Sequence, residues 1–186
     1  FYGCSDLDHV IIPGNVTSIG DSAFYGCSSL SSIAIPDSVT SVGNSAFQGC
    51  SSLKSATIGN CVTSIGDNAF DGCSSLSSVV VPDSVTSVGN SVFQGCSSLK
   101  SAVIGDNVPS IGDSAFQDCS SLTSITIGKS VTKIGCSVFD GCDNLKDVHT
   151  TDINAWCRIS FSSYPLKYAD NLYLNETLVT DVVVPD

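Results

Sequence analysis

Phenylalanine recurs every 23 residues along most of this chain, from its first residue to residue 139. Cysteine follows three places after each of these phenylalanines, and leucine follows three places after each cysteine, in all seven copies. The phenylalanines are Phe1, Phe24, Phe47, Phe70, Phe93, Phe116 and Phe139. A fixed period of this length predicts a solenoid, in which each coil buries its apolar side chains against its neighbours. Function in such a fold depends on the surface that the stack presents.

A single unit, residues 24–46, shows how a coil is expected to fold. Its Leu-x-x-Ile-x-Ile segment at residues 30–35 has alternating apolar residues, which predict a strand with one buried face. Pro36 follows that strand, and glycine follows it in other coils; both residue types limit further ladder bonding. Because like stacks on like in successive coils, the strands are predicted to form a parallel sheet, with the phenylalanines as a buried spine.

The second half of the unit contains a glycine at position 20 in six copies. These residues are Gly20, Gly43, Gly66, Gly89, Gly112 and Gly135. We expect each to provide a turn with positive φ. The polar residues and the Ala-Phe pair that follow are predicted to form a single capped helical turn.

This pattern resembles leucine-rich repeats, and in particular the 23-residue type of BspA-like surface proteins. The resemblance rests on the Leu-x-x-Ile-x-Ile-Pro strand, the Val-Thr-Ser-Ile-Gly turn and the Ala-Phe-x-Gly-Cys-Ser-Ser-Leu link, which recur from residue 1 to about residue 150. It implies a strand-rich α/β solenoid, wound as a right-handed superhelix, with a parallel β-sheet on its concave side and short helical turns. It also implies a secreted or cell-surface protein that binds other proteins or host surfaces.

Three segments follow from the pattern. Residues 1–149 are tandem repeats, residues 150–181 are an irregular interruption, and residues 182–186 match the start of a further repeat. Within the interruption, a hairpin is predicted about Asn175 and Glu176. Since both ends fall inside the pattern, we expect the chain to be a segment of a longer array.

The charge of the chain limits its partners. The formal net charge is −11, and only 13% of the residues are charged. Nucleic acid is therefore not an expected partner, because it attracts basic surfaces, and adsorption on anionic membranes is disfavoured. No apolar run approaches the roughly 20 residues that span a bilayer. Self-repulsion of the negative charge favours a monomer.

The cysteines at the repeated position are predicted to be small buried side chains and not disulfides. Side chains stacked in parallel about 4.8 Å apart miss the separation of roughly 3.8 Å that a bridge needs. Three further cysteines lie elsewhere. Cys157 takes a position at which isoleucine or valine normally packs, so burial is expected, whereas Cys61 and Cys136 replace polar turn residues and should be exposed.

The candidate binding residues lie on the face of the predicted sheet that points away from the core. Lysine recurs there at one position in every second coil, and threonine and histidine share a second position. The residues are Lys54, Lys100, Lys146, His149, Thr57 and Thr126. A lysine stripe at intervals of about 10 Å suits an acidic protein or a sulfated or sialylated glycan. The alternative is that these lysines only keep the sheet soluble.

A second candidate is an aromatic patch in the interruption, formed by Trp156, Tyr164, Tyr168 and Tyr173. It is either a ligand or partner site, or a structural shield over the edges of the coils. The acidic residues after the strands and after the glycines alternate with asparagine, which suits caps and turns better than calcium ligands. We therefore expect no metal and no cofactor.

No nucleophile paired with a base and no phosphate-binding loop occurs in the sequence. We therefore expect a non-enzymatic, extracellular or cell-surface module that binds protein or glycan on a host or neighbouring cell through the sheet. One alternative is a structural stalk or spacer with no ligand of its own. Another is a module that accompanies a catalytic domain outside these residues.

Overall fold

The computed structural model describes residues 1–162 and 169–180. It confirms the predicted strand-rich solenoid with parallel sheets. Most coils contribute two short strands, which we call the first and the second strand of the coil in chain order. In the described part of the chain, the single helix is α1 (Ile153–Cys157).

The first strands form two parallel groups, which start at successive multiples of the repeat. The shorter group pairs β2 (Ser32–Ala34) with β4 (Ser55–Thr57). The longer group is a six-stranded sheet of β6 (Ser78–Val81), β8 (Ser101–Ile104), β10 (Ser124–Ile127), β12 (Asp147–Thr150), β14 (Asn171–Leu174) and β15 (Thr177–Leu178). The last pair, β14 and β15, is an antiparallel hairpin that turns at Asn175 and Glu176, and the other pairs are parallel.

The second strands form two further parallel sheets on another side of the coil. One contains β1 (Ser18–Ile19), β3 (Ser41–Val42), β5 (Ser64–Ile65) and β7 (Ser87–Val88). The other contains β9 (Ser110–Ile111), β11 (Lys133–Ile134) and β13 (Ser160–Phe161). Sequence analysis anticipated the inward-facing valine or isoleucine at this position but not the sheet, because a strand of two residues shows no alternation.

The phenylalanine spine is present as predicted. Consecutive rings stack with centroids 5.1 to 5.8 Å apart and with their planes within 20° of parallel. All are buried except Phe1 in the first coil. Offset stacking of this kind adds to the free energy gained from removing each ring from water.

The Ala-Phe segment of each coil does not form the predicted helical turn. It is a series of tight turns, because alternate backbone N–H groups point to the next coil. In the third coil, Ser45 N, Phe47 N and Gly49 N each donate to a carbonyl 22 residues onward, all at 2.8 Å. Bonds directed between coils leave no run of helical bonds within one coil.

The position-20 glycines do not have positive φ, contrary to expectation. Positive φ occurs instead at Ser or Asn two residues later and at the glycine that follows the phenylalanine by two, for example Ser45 with φ 53° and Gly72 with φ 69°. The position-20 glycines are needed for close approach. A Cβ added to Gly66 would lie 2.6 Å from both the backbone N and Oδ1 of Asn44 in the preceding coil.

Two substitutions within one coil separate these two roles of glycine. We expect Gly66→Ala to cost about 2–3 kcal/mol, because the added methyl group forces two coils apart. Gly72→Ala should cost only about 1–2 kcal/mol, since its nearest contact would be 3.7 Å and the penalty is backbone strain. Urea unfolding of both variants measures the difference. Equal losses would contradict the close-approach role of Gly66.

Candidate binding face

The first strands direct their side chains alternately into the core and into solvent. In β6, Val79 and Val81 are buried, whereas Ser78 and Val80 are exposed. The same alternation holds in β8, where Ala102 and Ile104 are buried. We define the candidate binding face as the outward side chains of the first strands together with the residue that precedes each strand.

The three lysines lie in one column of this face. Lys54, Lys100 and Lys146 are exposed and directly precede β4, β8 and β12. Their backbone N–H groups donate to residues of the preceding coil at 2.9 to 3.1 Å, which fixes the column. Among the described residues, none of the three forms an ion pair, whereas Lys129 pairs with Asp106 at 3.0 Å. Their charges are therefore available to a partner.

The threonines and histidine occupy a second column, three residues further along each coil. Thr126 is in register with His149 on the neighbouring strand. Thr57 holds the same repeat position, but Val80 and Val103 lie between it and Thr126. Thr57 is exposed, and Thr126 and His149 are half-buried. The structure thus brings two of the three predicted residues into direct contact.

Tyr173 extends this second column and does not belong with Trp156. Its ring stacks on the imidazole of His149, with centroids 4.7 Å apart and planes 11° from parallel. Trp156 instead meets Phe161 edge-on at 5.9 Å, beside the second strands, and packs against the core. Tyr164 and Tyr168 lie outside the described residues. The predicted patch is therefore divided between two sides of the coil.

Glu176 in the hairpin turn completes the surroundings of His149. Its Oε2 lies 3.6 Å from His149 Nδ1, which is too long for a hydrogen bond. Nδ1 is buried and has no hydrogen-bond partner among the described residues. The other histidine, His9, is near the opposite end of the stack, where its hydrogen bond to the Asp8 carboxylate at 2.6 Å lowers the pKa of Asp8.

Sequence reasoning underrated the apolar part of the face. Val80 is 57% exposed and Val103 is 37% exposed on neighbouring strands, and Leu178 on β15 is 45% exposed. The available signal was the appearance of valine at a position that holds threonine or alanine in other coils. Leu178 had no such signal, because only the hairpin brings it onto this face.

The acidic residues after the position-20 glycines serve the backbone. Asp21 Oδ1 accepts from Asn44 N at 2.7 Å, and Asn44 Oδ1 accepts from Asp67 N at 2.8 Å. The same bond continues up the stack to Asp113 and Cys136. Alternation of Asp with Asn keeps like charges two coils apart, which limits their repulsion.

The repeated cysteines are buried thiols, as predicted, from Cys27 to Cys142; Cys4 in the first coil is exposed. Each buried thiol also donates a hydrogen bond to the carbonyl of a phenylalanine 26 residues earlier, for example Cys73 Sγ to Phe47 O at 3.3 Å. Burial raises the pKa of Cys50 and Cys96 from 9.0 to about 12, because a thiolate there loses its hydration.

All ten cysteines are free thiols. Cys61 and Cys136 are exposed, as predicted, but Cys157 is exposed and not buried. The reason is that the interruption lengthens its coil. Ile134 pairs with Phe161, 27 residues onward, whereas Ile111 pairs with Ile134 at the usual 23. Cys157 thereby leaves the core position and ends α1.

These arrangements can be compared with known proteins. The sequence profile of the BspA-type leucine-rich repeat region matches residues 1–120 and 63–172, in six copies. The chain therefore belongs to the BspA-type leucine-rich repeat family. No curated protein matches it. Among the described residues, no helix is both long and apolar enough to cross a membrane.

Solved structures of bacterial leucine-rich repeat proteins share this fold. A leucine-rich repeat protein of T. pallidum is 31% identical with a TM-score of 0.73, over 83% of this chain and 72% of that one. A leucine-rich cell surface protein of Faecalibacterium prausnitzii is 33% identical with a TM-score of 0.58, over 73% of this chain and 43% of that one. A leucine-rich repeat protein of Eubacterium ventriosum is 26% identical with a TM-score of 0.63, over 84% and 46%. The chain thus spans less than half the length of the last two.

The burial of the thiols predicts two classes of reactivity. Cys4, Cys61, Cys136 and Cys157 should react quickly with a thiol reagent in the native protein, because they are exposed. The other six should react only when the coils open. A time course with an excess of reagent, before and after denaturation with guanidinium, counts the two classes. More than four fast thiols would contradict the buried ladder.

The raised pKa values also predict loss of stability in alkali. Above pH 9 the thiols of the unfolded chain lose protons that Cys50 and Cys96 retain in the folded chain up to about pH 12. The free energy of unfolding should therefore fall as the pH rises through this interval. Urea midpoints between pH 8 and 11 test this. The double variant Cys50→Ala and Cys96→Ala should show a smaller fall than the wild type, and an equal fall would contradict the assignment.

Proposed function

We propose that this chain is a non-catalytic recognition module that binds protein or glycan on a host or neighbouring cell through the candidate binding face. The observation that carries the proposal is the column of Lys54, Lys100 and Lys146. It collects three of the seven basic residues of the chain on one face, and none has an acidic partner among the described residues. A positive stripe on an otherwise acidic molecule favours an anionic ligand and its approach by electrostatic steering.

The family supports an extracellular or cell-surface location. One structural relative is described as a leucine-rich cell surface protein, and repeat folds of this kind generally provide interaction surfaces or structural support. The module acts as a monomer and without a cofactor. Catalysis is not part of the proposal, because His9 and His149 stand in different coils near the two ends of the repeat array.

A structural spacer is the second candidate, and the hydroxyl groups favour it. Ser31 Oγ donates to Asp8 O, Ser77 Oγ to Lys54 O, and Thr123 Oγ1 to Lys100 O, at 3.1 to 3.3 Å. The residues between the lysines thus use their hydroxyl groups to hold the stack together. A face of this kind needs no ligand to explain it.

The lysine column is tested by binding to an array of glycans and of matrix and mucosal proteins. We expect a specific signal that is lost, by about tenfold or more, in the variant Lys54→Ser, Lys100→Ser and Lys146→Ser, because the charged contacts are removed. Serine stands at this position in two other coils, Ser31 and Ser77, so the variant should fold. The signal should also weaken as the salt concentration rises.

The matched control removes three positive charges elsewhere, through Lys129→Asn, Lys133→Ser and Arg158→Ser. It changes the net charge equally and should leave binding intact. An equal loss in both variants would show a general charge effect and not a site. Complete absence of binding would favour the spacer.

A further inference from the structure

A continuous row of side chains crosses the six-stranded sheet, one from each strand. Each member is in register with the next on the neighbouring strand. The members are Val80, Val103, Thr126, His149, Tyr173 and Leu178. We call this set the cross-sheet row. With strands about 4.8 Å apart it extends over roughly 24 Å.

The row points away from the core along its whole length. The residues on either side of it in β6, β8, β10 and β12 are buried, including Val79 and Val81, and Val148 and Thr150. The two ends of the row are aliphatic and exposed, with Val80 and Val103 at one end and Leu178 at the other. Exposed aliphatic side chains in line across a sheet suit a partner that has apolar side chains of its own.

Charge of opposite sign flanks the row. Lys100 and Lys146 lie three residues before Val103 and His149, and neither has an ion-pair partner in the described part of the chain. On the other side, Val80 and Val103 line a shallow depression of about 310 Å³ together with Asp83. The unpaired positive charges therefore lie on the side of the row where the strands begin.

The aromatic residues of the row are not arranged to receive a sugar. A pyranose ring packs on the open face of an aromatic ring, but one face of Tyr173 is covered by the imidazole of His149. Its other neighbour in register is Leu178. Side chains stacked across strands in this way present their edges to solvent, which suits side chains of a protein.

We propose that the cross-sheet row binds a protein segment that combines aliphatic or aromatic side chains with carboxylates. The apolar side chains pack on Val80, Val103 and Leu178, and the carboxylates pair with Lys100 and Lys146. The inference rests on the proposed function, because it names the class of partner for the same face. It goes beyond it in choosing protein over glycan and in placing the contact in the second half of the chain.

The test is selection of a phage-displayed library of random dodecapeptides on the 186-residue chain. Enriched peptides are synthesised, and their Kd is measured for the wild type and three variants. Val80→Thr with Val103→Thr removes the apolar end, and Lys100→Ser with Lys146→Ser removes the charges. Ile11→Thr is the matched control, because Ile11 has the same repeat position and is 86% exposed but lies outside the row.

We expect the enriched peptides to contain Asp or Glu together with aliphatic or aromatic residues. Their Kd should rise about tenfold in the valine variant, where two methyl groups are replaced by hydroxyls. It should rise similarly in the lysine variant, with a weaker dependence on salt, and stay unchanged in Ile11→Thr. The valine variant introduces the residue that Thr57 and Thr126 already provide, and urea unfolding verifies that it is folded.

Two results would overturn the inference. One is peptides that bind the valine variant as tightly as the wild type, or no enriched peptide at all. The other is binding of heparin or another sulfated oligosaccharide that requires the lysines but not the valines. In that second case the proposed function stands and only the choice of partner fails. If neither peptides nor the glycan and protein array bind, the proposed function fails as well.

Discussion

Hydrogen bonding between coils is the constraint on which the rest of this structure depends. Backbone groups of one coil bond to groups about 23 residues earlier or later, in both series of strands and in the turns between them. Since buried backbone groups must be paired, each coil depends on the coils beside it. A residue type that suits the stack at one position therefore suits it at that position in every coil.

The side chains adopt the same spacing, and their chemistry follows from it. Aromatic rings, thiols and hydroxyl groups each meet a copy of themselves or of the backbone one coil away. Neutral groups tolerate this, and charged groups do not. The alternation of Asp21, Asn44 and Asp67 keeps a backbone N–H bonded in every coil while separating the carboxylates. Glycine is needed at Gly66 for the same reason, because two backbones come too close for a Cβ.

The face of the first strands is where the stack is free to vary. Its outward positions do not hold the core together, so serine, lysine, valine and histidine can all occupy them. The interruption after residue 149 adds the hairpin of β14 and β15 to the end of this sheet, and so places Tyr173 and Leu178 in line with Val80 and Val103. A binding surface thereby forms from coils that are otherwise alike.

The sequence by itself determined the solenoid, the phenylalanine spine, the buried cysteines and the lysine column, because each follows from a strict period that maps sequence distance onto spatial distance. It did not determine the second strands, which are too short to show alternation, or the role of the position-20 glycines, which depends on a contact with another coil. Where the period breaks, residue 157 lost its predicted place in the core, and Tyr173 separated from Trp156. Only the tertiary structure decided these, because the register across an insertion depends on which strand finds a partner and not on the spacing along the chain.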